Sequence, residues 1–148
     1  MNATIQKMSI DDYDQVLSLW RAFPGVGLSS ADSREGIGTF LIRNPGLSLV
    51  AKIEGRIVGA ALCGHDRRRG YLYHLAVTSS CRRQGVGRAL AGQRLARLQA
   101  EGIMKCHVFI FRQNREAEAF WRDVGWTMRT ELQIMSADIA ADVRAADE

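Results

Sequence analysis

The segment from His74 to Leu90 constrains the fold and the chemistry of this chain more than any other. An apolar and aromatic strand ends at Val77, and a polar loop then leads into a long helix that begins near Gly85. Gly85 and Gly87 stand where that helix begins, and glycine permits backbone conformations and close ligand approach that a Cβ would block. The first amides of a helix have no partner within it, and with the helix dipole they form a site for anions. The segment therefore predicts a strand, a phosphate-binding loop and a helix.

Arginines surround the same loop, and guanidinium groups suit phosphate oxygens. The sequence lacks the GxxxxGK[ST] pattern of a P-loop, and Leu90 stands where the dinucleotide-binding fingerprint needs Gly or Ala. No acidic residue for a ribose follows about 20 residues later. The loop is therefore predicted to bind a phosphate ligand other than those two classes. The residues expected to hold it are Arg82, Arg83, Gln84, Gly85, Val86, Gly87 and Arg88.

The rest of the chain alternates short strands and helices without a repeat or a linker. A hairpin together with strands separated by helices predicts an α/β (α+β) fold, with one mixed, mostly antiparallel sheet and helices on both faces. Ser9 and Asp12 have the spacing of a capping box at the start of the first helix. The predicted elements, in order, are a strand at Thr4–Met8, a helix after Ser9, a helix at Asp32–Ile42, a hairpin of Leu47–Ile53 and Arg56–Cys63, a strand at Gly70–Val77, a helix at Gly85–Glu101, a strand at Lys105–Phe111, a helix after Asn114, and closing strands at Trp126–Met128 and Glu131–Ser136.

Length and composition set the class of protein. A chain of 148 residues fits one domain, which we expect at residues 1–137, with a tail over 138–148 that frays. No run of about 20 apolar residues and no signal segment is present, so we expect a cytoplasmic protein without a membrane partner. The odd, scattered cysteines at positions 63, 81 and 106 favour a reducing compartment and give no zinc-like spacing, so no metal is expected.

Arg67–Arg69 and Arg82–Arg83 raise the alternative of a nucleic-acid-binding domain. The sequence has neither a basic stripe interleaved with aromatic residues nor a helix-turn-helix pattern, so we expect no nucleic-acid partner. Arg67–Arg69 is interpreted either as a solvated loop or as a clamp for the ribose phosphate of a cofactor.

Two motifs carry a resemblance to a known family. Arg82-x-x-Gly85-x-Gly87, after a strand that ends Leu75-Ala76-Val77, resembles the acetyl-CoA motif of the GCN5-related N-acetyltransferases (GNAT). Asn114-x-x-Ala117-x-x-Phe120-Trp121-x-x-x-Gly125-Trp126 is similar to the family's second signature, N-x-x-A-x-x-F-Y-x-x-x-G-F. One predicted helix and one predicted strand separate the two motifs, as the family requires. The resemblance covers at least residues 47–128, and the layout is similar to the branch that acetylates ribosomal-protein N-termini.

The resemblance implies a GNAT-like fold and acetyl-CoA as co-substrate. The backbone of Leu75, Ala76 and Val77 would lie along the pantetheine arm, with the Val77 N–H near the thioester carbonyl. The Arg82–Arg88 loop would hold the pyrophosphate. Asn114 would contact the cofactor arm, and the alternative role for this residue is a plain helix N-cap.

The catalytic residues are less well defined. Trp121 occupies the position where the family commonly has a tyrosine general acid, and an indole N–H has no accessible proton to give. Trp121 is therefore interpreted as a core aromatic residue. The strand Gly70–Val77 lacks the glutamate base of many relatives, which leaves His74 as a candidate base and Tyr73 as a candidate acid. The alternative for His74 is a satisfied core residue.

The resemblance implies an N-acetyltransferase that moves an acetyl group to a primary amine, on a small molecule or a protein N-terminus, by direct attack on the thioester. The acceptor site would be shaped by residues 23–33, where Asp32 is the one acidic residue to meet a cation, and by the region around 129–134. A non-catalytic acyl-CoA sensor is the alternative. We expect a monomer or a homodimer.

Overall fold

The structure is a computed structural model that describes residues 2–140. It is built around a single β-sheet. The strands lie in the order β1-β2-β3-β4-β5, and three short 3₁₀ turns precede helices or follow a strand. The elements are β1 (Thr4–Lys7), α1 (Tyr13–Arg21), α2 (Arg34–Arg43), β2 (Leu49–Ile53), β3 (Arg56–His65), β4 (Gly70–Val77), α3 (Val86–Ala100), β5 (Cys106–Val108) and α4 (Arg115–Asp123), with 3₁₀ turns at Ile10–Asp12, Ser30–Asp32 and Ser79–Cys81.

The sheet is mixed and mostly antiparallel, as predicted. β1 to β4 pair with their neighbours in antiparallel fashion, while β5 pairs with β4 in parallel. The parallel pairing covers three residue pairs, from Gly70 opposite Cys106 to Leu72 opposite Val108. Beyond Leu72 and Val108 the two strands no longer pair, and the space between β4 and the chain after β5 is called the cleft below.

Helices cover both faces of the sheet, which confirms that part of the prediction. α1 and α2 place Val16, Trp20 and Ile37 against one face. α3 and α4 cover the other face, where Leu98 and Trp121 belong to the same buried cluster. Burial of such side chains contributes roughly 1.5–3 kcal/mol each. These two layers hold β4 between them, next to the edge strand β5.

The chain after α4 differs from the prediction. Within the described residues, the segments Trp126–Met128 and Glu131–Ser136 form no strand, so the two predicted closing strands are wrong. Leu132, Ile134 and Met135 are exposed, with no face of the sheet to pack against, and β5 already ends at Val108. Apolar alternation leads to a strand only where a neighbouring strand is available for pairing. Most of the predicted tail, residues 141–148, lies outside the described residues.

None of the helices among residues 2–140 has both the length and the apolar character that a bilayer span requires.

Candidate active site

His74 forms a bulge in the middle of β4. Tyr73 pairs with Leu62 and Ala76 pairs with Ala60, so three steps along β4 oppose two steps along β3. His74 has φ 55°, a left-handed conformation that is uncommon outside glycine. One extra residue of this kind bends the strand and increases its twist. The bulge lies just beyond the point at which β4 and β5 stop pairing.

The bulge also changes which side chains face each layer. Leu72 and Leu75 both pack on the α3/α4 face, although they are three residues apart. Tyr73 and Ala76 both pack on the α1/α2 face. His74 lies on that α1/α2 face as well, because its ring contacts Trp20 with centroids 4.9 Å apart. Two adjacent polar side chains, Tyr73 and His74, are thereby presented on one side of the cleft.

The main chain of β4 faces the cleft at Leu75 and Val77. The Thr78 amide donates to the Val58 carbonyl on β3 at 2.8 Å. Because successive amides in a strand point in alternate directions, the N–H groups of Val77 and Leu75 point away from β3 and towards the cleft. Ala76 is buried and turns its amide to β3. The N–H groups of Leu75 and Val77 are therefore not used in pairing with β3.

The loop before α3 has the conformation of an anion site. Arg83 has φ 63° and Gly85 has φ 85°, and α3 begins directly afterwards. Among residues 2–140, no protein acceptor takes a hydrogen bond from the amides of Val86, Gly87 or Arg88. A Cβ on Gly87 would lie 3.3 Å from the Phe120 ring, so glycine there permits close packing of α3 on α4. Val86 is buried, and only its main chain can reach a ligand.

The side chains of the loop occupy its rim. The Arg82 guanidinium lies over the Phe23 ring, 4.9 Å from its centroid, and 3.7 Å from a Glu116 oxygen. Arg88 lies 3.3 Å from Asp123, and Gln84 donates to a backbone carbonyl in the preceding turn. Exposed pairs of this kind stabilise the fold by less than about 1 kcal/mol, so an incoming anion can displace them.

Arg67–Arg69 is a solvated turn and no cofactor clamp. These residues precede β4, whereas the loop Arg82–Arg88 follows it. The two ends of this eight-residue strand lie about 23 Å apart, so Arg67–Arg69 and the loop Arg82–Arg88 are at opposite ends of β4. The Asp66 carboxylate accepts the amides of Arg68 and Arg69, and these hydrogen bonds hold its pKa below the usual range. The clamp interpretation is therefore wrong.

Asn114 caps α4. Its Oδ1 accepts the Ala117 amide at 3.0 Å, which confirms the N-cap prediction. Its side-chain nitrogen faces Gly25, where an added Cβ would collide with it. Asn114, Gly25 and Phe111 line a groove of about 350 Å³ that also borders Arg82. The amide nitrogen of Asn114 is therefore placed to meet a ligand in that groove.

Trp121 does not reach the cleft. It is 6% exposed, and its ring packs against Trp126 and Phe120 with centroid distances of 4.5 and 5.0 Å. Trp121 is thus a core residue, as interpreted from the sequence, and the usual acid position of the second motif carries no acid here.

Tyr73 and His74 stand in different environments. Tyr73 packs edge-on against Phe40, and its hydroxyl makes no hydrogen bond among the described residues. Burial raises the pKa of Tyr73, so its hydroxyl stays protonated at neutral pH. His74 Nε2 lies 2.9 Å from Asp32 Oδ1. Asp32 is 8% exposed, so it is not open to meet a cationic acceptor as the sequence suggested.

The contact between Asp32 and His74 was not predicted from the sequence. Its carboxylate accepts the Ser29 amide, and Ser29 Oγ accepts the Ala31 amide, in a capping box. The same Ser-x-x-Asp spacing was recognised at Ser9 and Asp12. Applied to Ser29, that spacing signals an engaged carboxylate, although it does not reveal His74 as its partner.

An aromatic wall, defined by Tyr71, Tyr73 and Phe109, continues the α1/α2 side of the cleft. Tyr71 stacks on Tyr73 and on Phe109, with centroids 6.1 and 6.0 Å apart. His107 borders the wall, and burial together with Arg129 lowers its pKa. Phe109 is half exposed, which leaves the wall open to a ligand. Among the described residues, no group of three or more potential metal ligands is found.

Comparisons with known proteins agree with this architecture. Residues 13–126 match the model described as the acetyltransferase (GNAT) family. An acetyltransferase of Pectobacterium atrosepticum is 33% identical over 104 residues, which cover 70% of this chain and 73% of that protein.

Two crystal structures share the fold. The PaiA N-acetyltransferase of Thermoplasma acidophilum in complex with coenzyme A has a TM-score of 0.74 at 17% identity, over 87% of this chain and 92% of that one. An aminoglycoside acetyltransferase from an uncultured soil sample, in complex with sisomicin, has a TM-score of 0.75 at 20% identity, over 94% and 97%. The family match over most of the chain and the 33% identical relative show that this chain belongs to the acetyltransferase (GNAT) family and is an N-acetyltransferase.

Proposed function

We propose that the protein transfers the acetyl group of acetyl-CoA to a primary amine by direct attack of the amine on the thioester. One observation carries the proposal: the unpaired amides at the start of α3 lie next to the end of β4, where a Cβ on Gly87 would lie 3.7 Å from the Val77 side chain. A ligand with a diphosphate at one end and amide groups along an arm fits that row of donors and acceptors. Acetyl-CoA supplies such an arm and an activated carbonyl carbon.

The donor side is assigned from the residues that border the cleft. The amides at the start of α3 would receive the pyrophosphate, with Arg82, Arg83 and Arg88 at the rim and the Gly85 turn letting the ligand approach. The Val77 N–H would donate to the thioester oxygen as charge develops there. One donor of this kind contributes roughly 10²–10³ in rate in other enzymes. The amide nitrogen of Asn114 would bind the arm from the α4 side.

The acceptor would enter from the α1/α2 side of the cleft. The aromatic wall and His74 lie on that side, and so does the loop that contains Phe23 and Gly25. Aromatic faces attract cations such as an ammonium group, so the wall suits an amine, on a small molecule or a protein N-terminus. The layout resemblance to the ribosomal-protein N-terminal branch favours the second of these and stays a prediction.

The Tyr73 hydroxyl is the candidate donor to the leaving thiolate. Its raised pKa keeps the proton in place at neutral pH, and it makes no competing hydrogen bond among the described residues. A thiolate also leaves without an acid, so loss of this hydroxyl should slow the reaction without abolishing it.

The test is release of free thiol from acetyl-CoA in the presence of a panel of peptides, amino acids and polyamines. We expect acceptor-dependent thiol release with at least one amine, and mass spectrometry should find that amine heavier by one acetyl group. A protein that binds acetyl-CoA tightly and releases no thiol across the panel would instead be the non-catalytic sensor, which the buried Trp121 permits.

We expect the enzyme in the cytoplasm, as a monomer or a homodimer. The cysteines of the described chain are all free thiols, which supports a reducing compartment. Light scattering of the purified protein distinguishes the two oligomeric states.

A further inference from the structure

Asp12 and Asp32 occupy equivalent positions in two capping boxes, but their second oxygens have different partners. Asp12 Oδ2 accepts the Ser9 amide at 2.9 Å, and Asp32 Oδ2 accepts the Ser29 amide at 3.1 Å. Asp12 Oδ1 lies 3.3 Å from the Lys52 ammonium, an ordinary ion pair. Asp32 Oδ1 lies 2.9 Å from His74 Nε2 instead. In addition to capping its turn, Asp32 therefore binds the imidazole ring of a distant strand.

Three contacts hold the imidazole and its carboxylate in place. The Trp20 indole donates to the His74 carbonyl at 2.9 Å, and its ring meets the His74 ring edge-on. The Tyr13 hydroxyl donates to the Asp32 carbonyl at 2.6 Å. Both side chains of the pair are largely buried, with 17% of His74 and 9% of Asp32 exposed. The pair is thus rigid, and it lies at the bulge where the cleft opens.

The hydrogen bond selects one tautomer of the imidazole. A carboxylate accepts only, so in the neutral imidazole Nε2 carries the hydrogen and Nδ1 keeps its lone pair. Among the described residues, no group donates to Nδ1. A carboxylate in this arrangement orients an imidazole and stabilises the imidazolium that forms when it takes a proton.

We propose that Asp32 is a positioning residue that holds His74 as the proton acceptor for the ammonium group of the acceptor. The inference rests on the proposed acetyl transfer. His74 Nδ1 takes one proton from R–NH₃⁺, and the imidazolium is paired with Asp32. The freed amine lone pair forms a bond to the thioester carbon and the C–S bond breaks. The departing thiolate takes the proton of the Tyr73 hydroxyl, the second proton of the amine nitrogen restores that hydroxyl, and His74 returns its proton to water.

Other acid–base groups near the cleft are committed elsewhere. Asp66 accepts two backbone amides in the turn before β4. Tyr73 is protonated at neutral pH because burial raises its pKa, so it suits an acid and not a base. Trp121 has no proton to exchange. His107 borders the aromatic wall, but no carboxylate holds its ring among the described residues. His74 is the imidazole that a carboxylate orients on the face from which the amine would enter.

Asp32→Asn, with Asp12→Asn as the matched control, tests the positioning role. Both variants lose a capping charge, and both keep an oxygen for the serine amide. An asparagine at position 32 offers its N–H₂ to Nε2, which moves the ring hydrogen to Nδ1 and blocks proton uptake there. We expect kcat to fall about 100-fold or more in Asp32→Asn, with KM for acetyl-CoA unchanged, since acid–base catalysis contributes 10²–10⁴-fold. Equal effects of the two substitutions on kcat would overturn the proposal.

His74→Gly gives a second test, because glycine accepts the left-handed backbone and leaves space for free imidazole. Imidazole in the buffer should restore turnover to His74→Gly, and it should restore much less to His74→Gly/Asp32→Asn. Absence of rescue in a folded His74→Gly variant that still binds acetyl-CoA would contradict a proton-accepting role.

The tautomer can be measured without turnover, by ¹⁵N NMR of the His74 ring. We expect the hydrogen on Nε2 in the wild-type protein and on Nδ1 in Asp32→Asn. The Nδ1–H tautomer in the wild-type protein would overturn the proposal even if acetyl transfer proceeds. If the tautomers are as expected but no amine is acetylated, the pair is structural, and both the proton-transfer role and the proposed function are refuted. If Asp32→Asn retains full acetyl transfer, only the proton-transfer role is refuted.

Discussion

The indole nitrogen of Trp20 donates a hydrogen bond to the carbonyl oxygen of His74 at 2.9 Å, so α1 is tied directly to the bulge in β4. Trp20 is fully buried, and its other contacts belong to the core between α1, α2 and the sheet. The His74 carbonyl lies at the bulge in β4, and the indole supplies it with a donor from α1. Packing of the core and geometry of the cleft are coupled through this one bond.

Trp20→Phe should therefore destabilise the protein and slow it as well. Phenylalanine is smaller than tryptophan, so some packing is lost, and the His74 carbonyl also loses its donor, which costs about 1–3 kcal/mol. Urea denaturation should show this loss in the free energy of unfolding, and kcat should fall because the bulge is no longer fixed. Trp121→Phe is the matched control, since Trp121 is also buried, with 6% exposed, and its indole nitrogen donates to no acceptor found among residues 2–140. Equal losses in the two variants would contradict the role of the bond.

Trp121→Tyr should not raise the rate. The side chain lies in the core beneath α4, away from the cleft, so a hydroxyl placed there cannot protonate a leaving group. The smaller ring leaves a void next to Trp126, and we expect a loss of about 1–3 kcal/mol in stability. Single-turnover kinetics and urea denaturation measure both effects. A clear increase in kcat would show that the position has access to the thioester after all.

Sequence patterns predicted those features that depend on neighbouring residues. The loop Arg82–Arg88, the cap at Asn114 and the box of Ser9 and Asp12 are of this kind, because each is built within a few residues of chain. Their geometry follows from local chemistry, and the structure confirms the two caps and the turn that leads into α3, whereas ligand binding by the loop stays a prediction.

Features that depend on distant residues were not predictable in the same way. His74 and Asp32 are 42 residues apart, and they meet because one residue is inserted in β4 and turns the imidazole to the α1/α2 face. The closing strand expected at Glu131–Ser136 failed for a related reason. Its apolar alternation is that of a strand, but β5 ends at Val108, and Ile134 remains 67% exposed.

The thiols of Cys63 and Cys106 should be unreactive in the folded protein. Burial raises the pKa of Cys63 to about 11 and that of Cys106 to about 12, and the thiolate is the reactive form. In pH 8 buffer, iodoacetamide should label both residues slowly when folded and rapidly in urea, as peptide mass spectrometry can show. Fast labelling of either thiol in the folded protein would contradict the burial that raises these pKa values.

The same shifts predict the sign of a pH effect on stability. A thiol has a pKa of about 8.5 when unfolded, so the folded state of this protein holds these two protons more tightly. The resulting stabilisation is complete below about pH 8.5 and is lost as the pH rises towards 11 and 12. Replacing Cys63 with Ala should make the free energy of unfolding fall less steeply over that alkaline range. An unchanged slope would contradict the assignment.

The central claim is that the start of α3 binds a diphosphate, and calorimetry with acetyl-CoA tests it without any acceptor. Gly87→Asp places a carboxylate at the unpaired amides and a Cβ 3.3 Å from Phe120. Gly92→Asp adds the same charge further along α3, where a Cβ meets nothing within 4 Å. We predict that acetyl-CoA binds the wild-type and Gly92→Asp proteins with equal affinity, and binds a folded Gly87→Asp protein at least about 10-fold more weakly, a loss of about 1.4 kcal/mol. Equal affinity in all three proteins would contradict the claim.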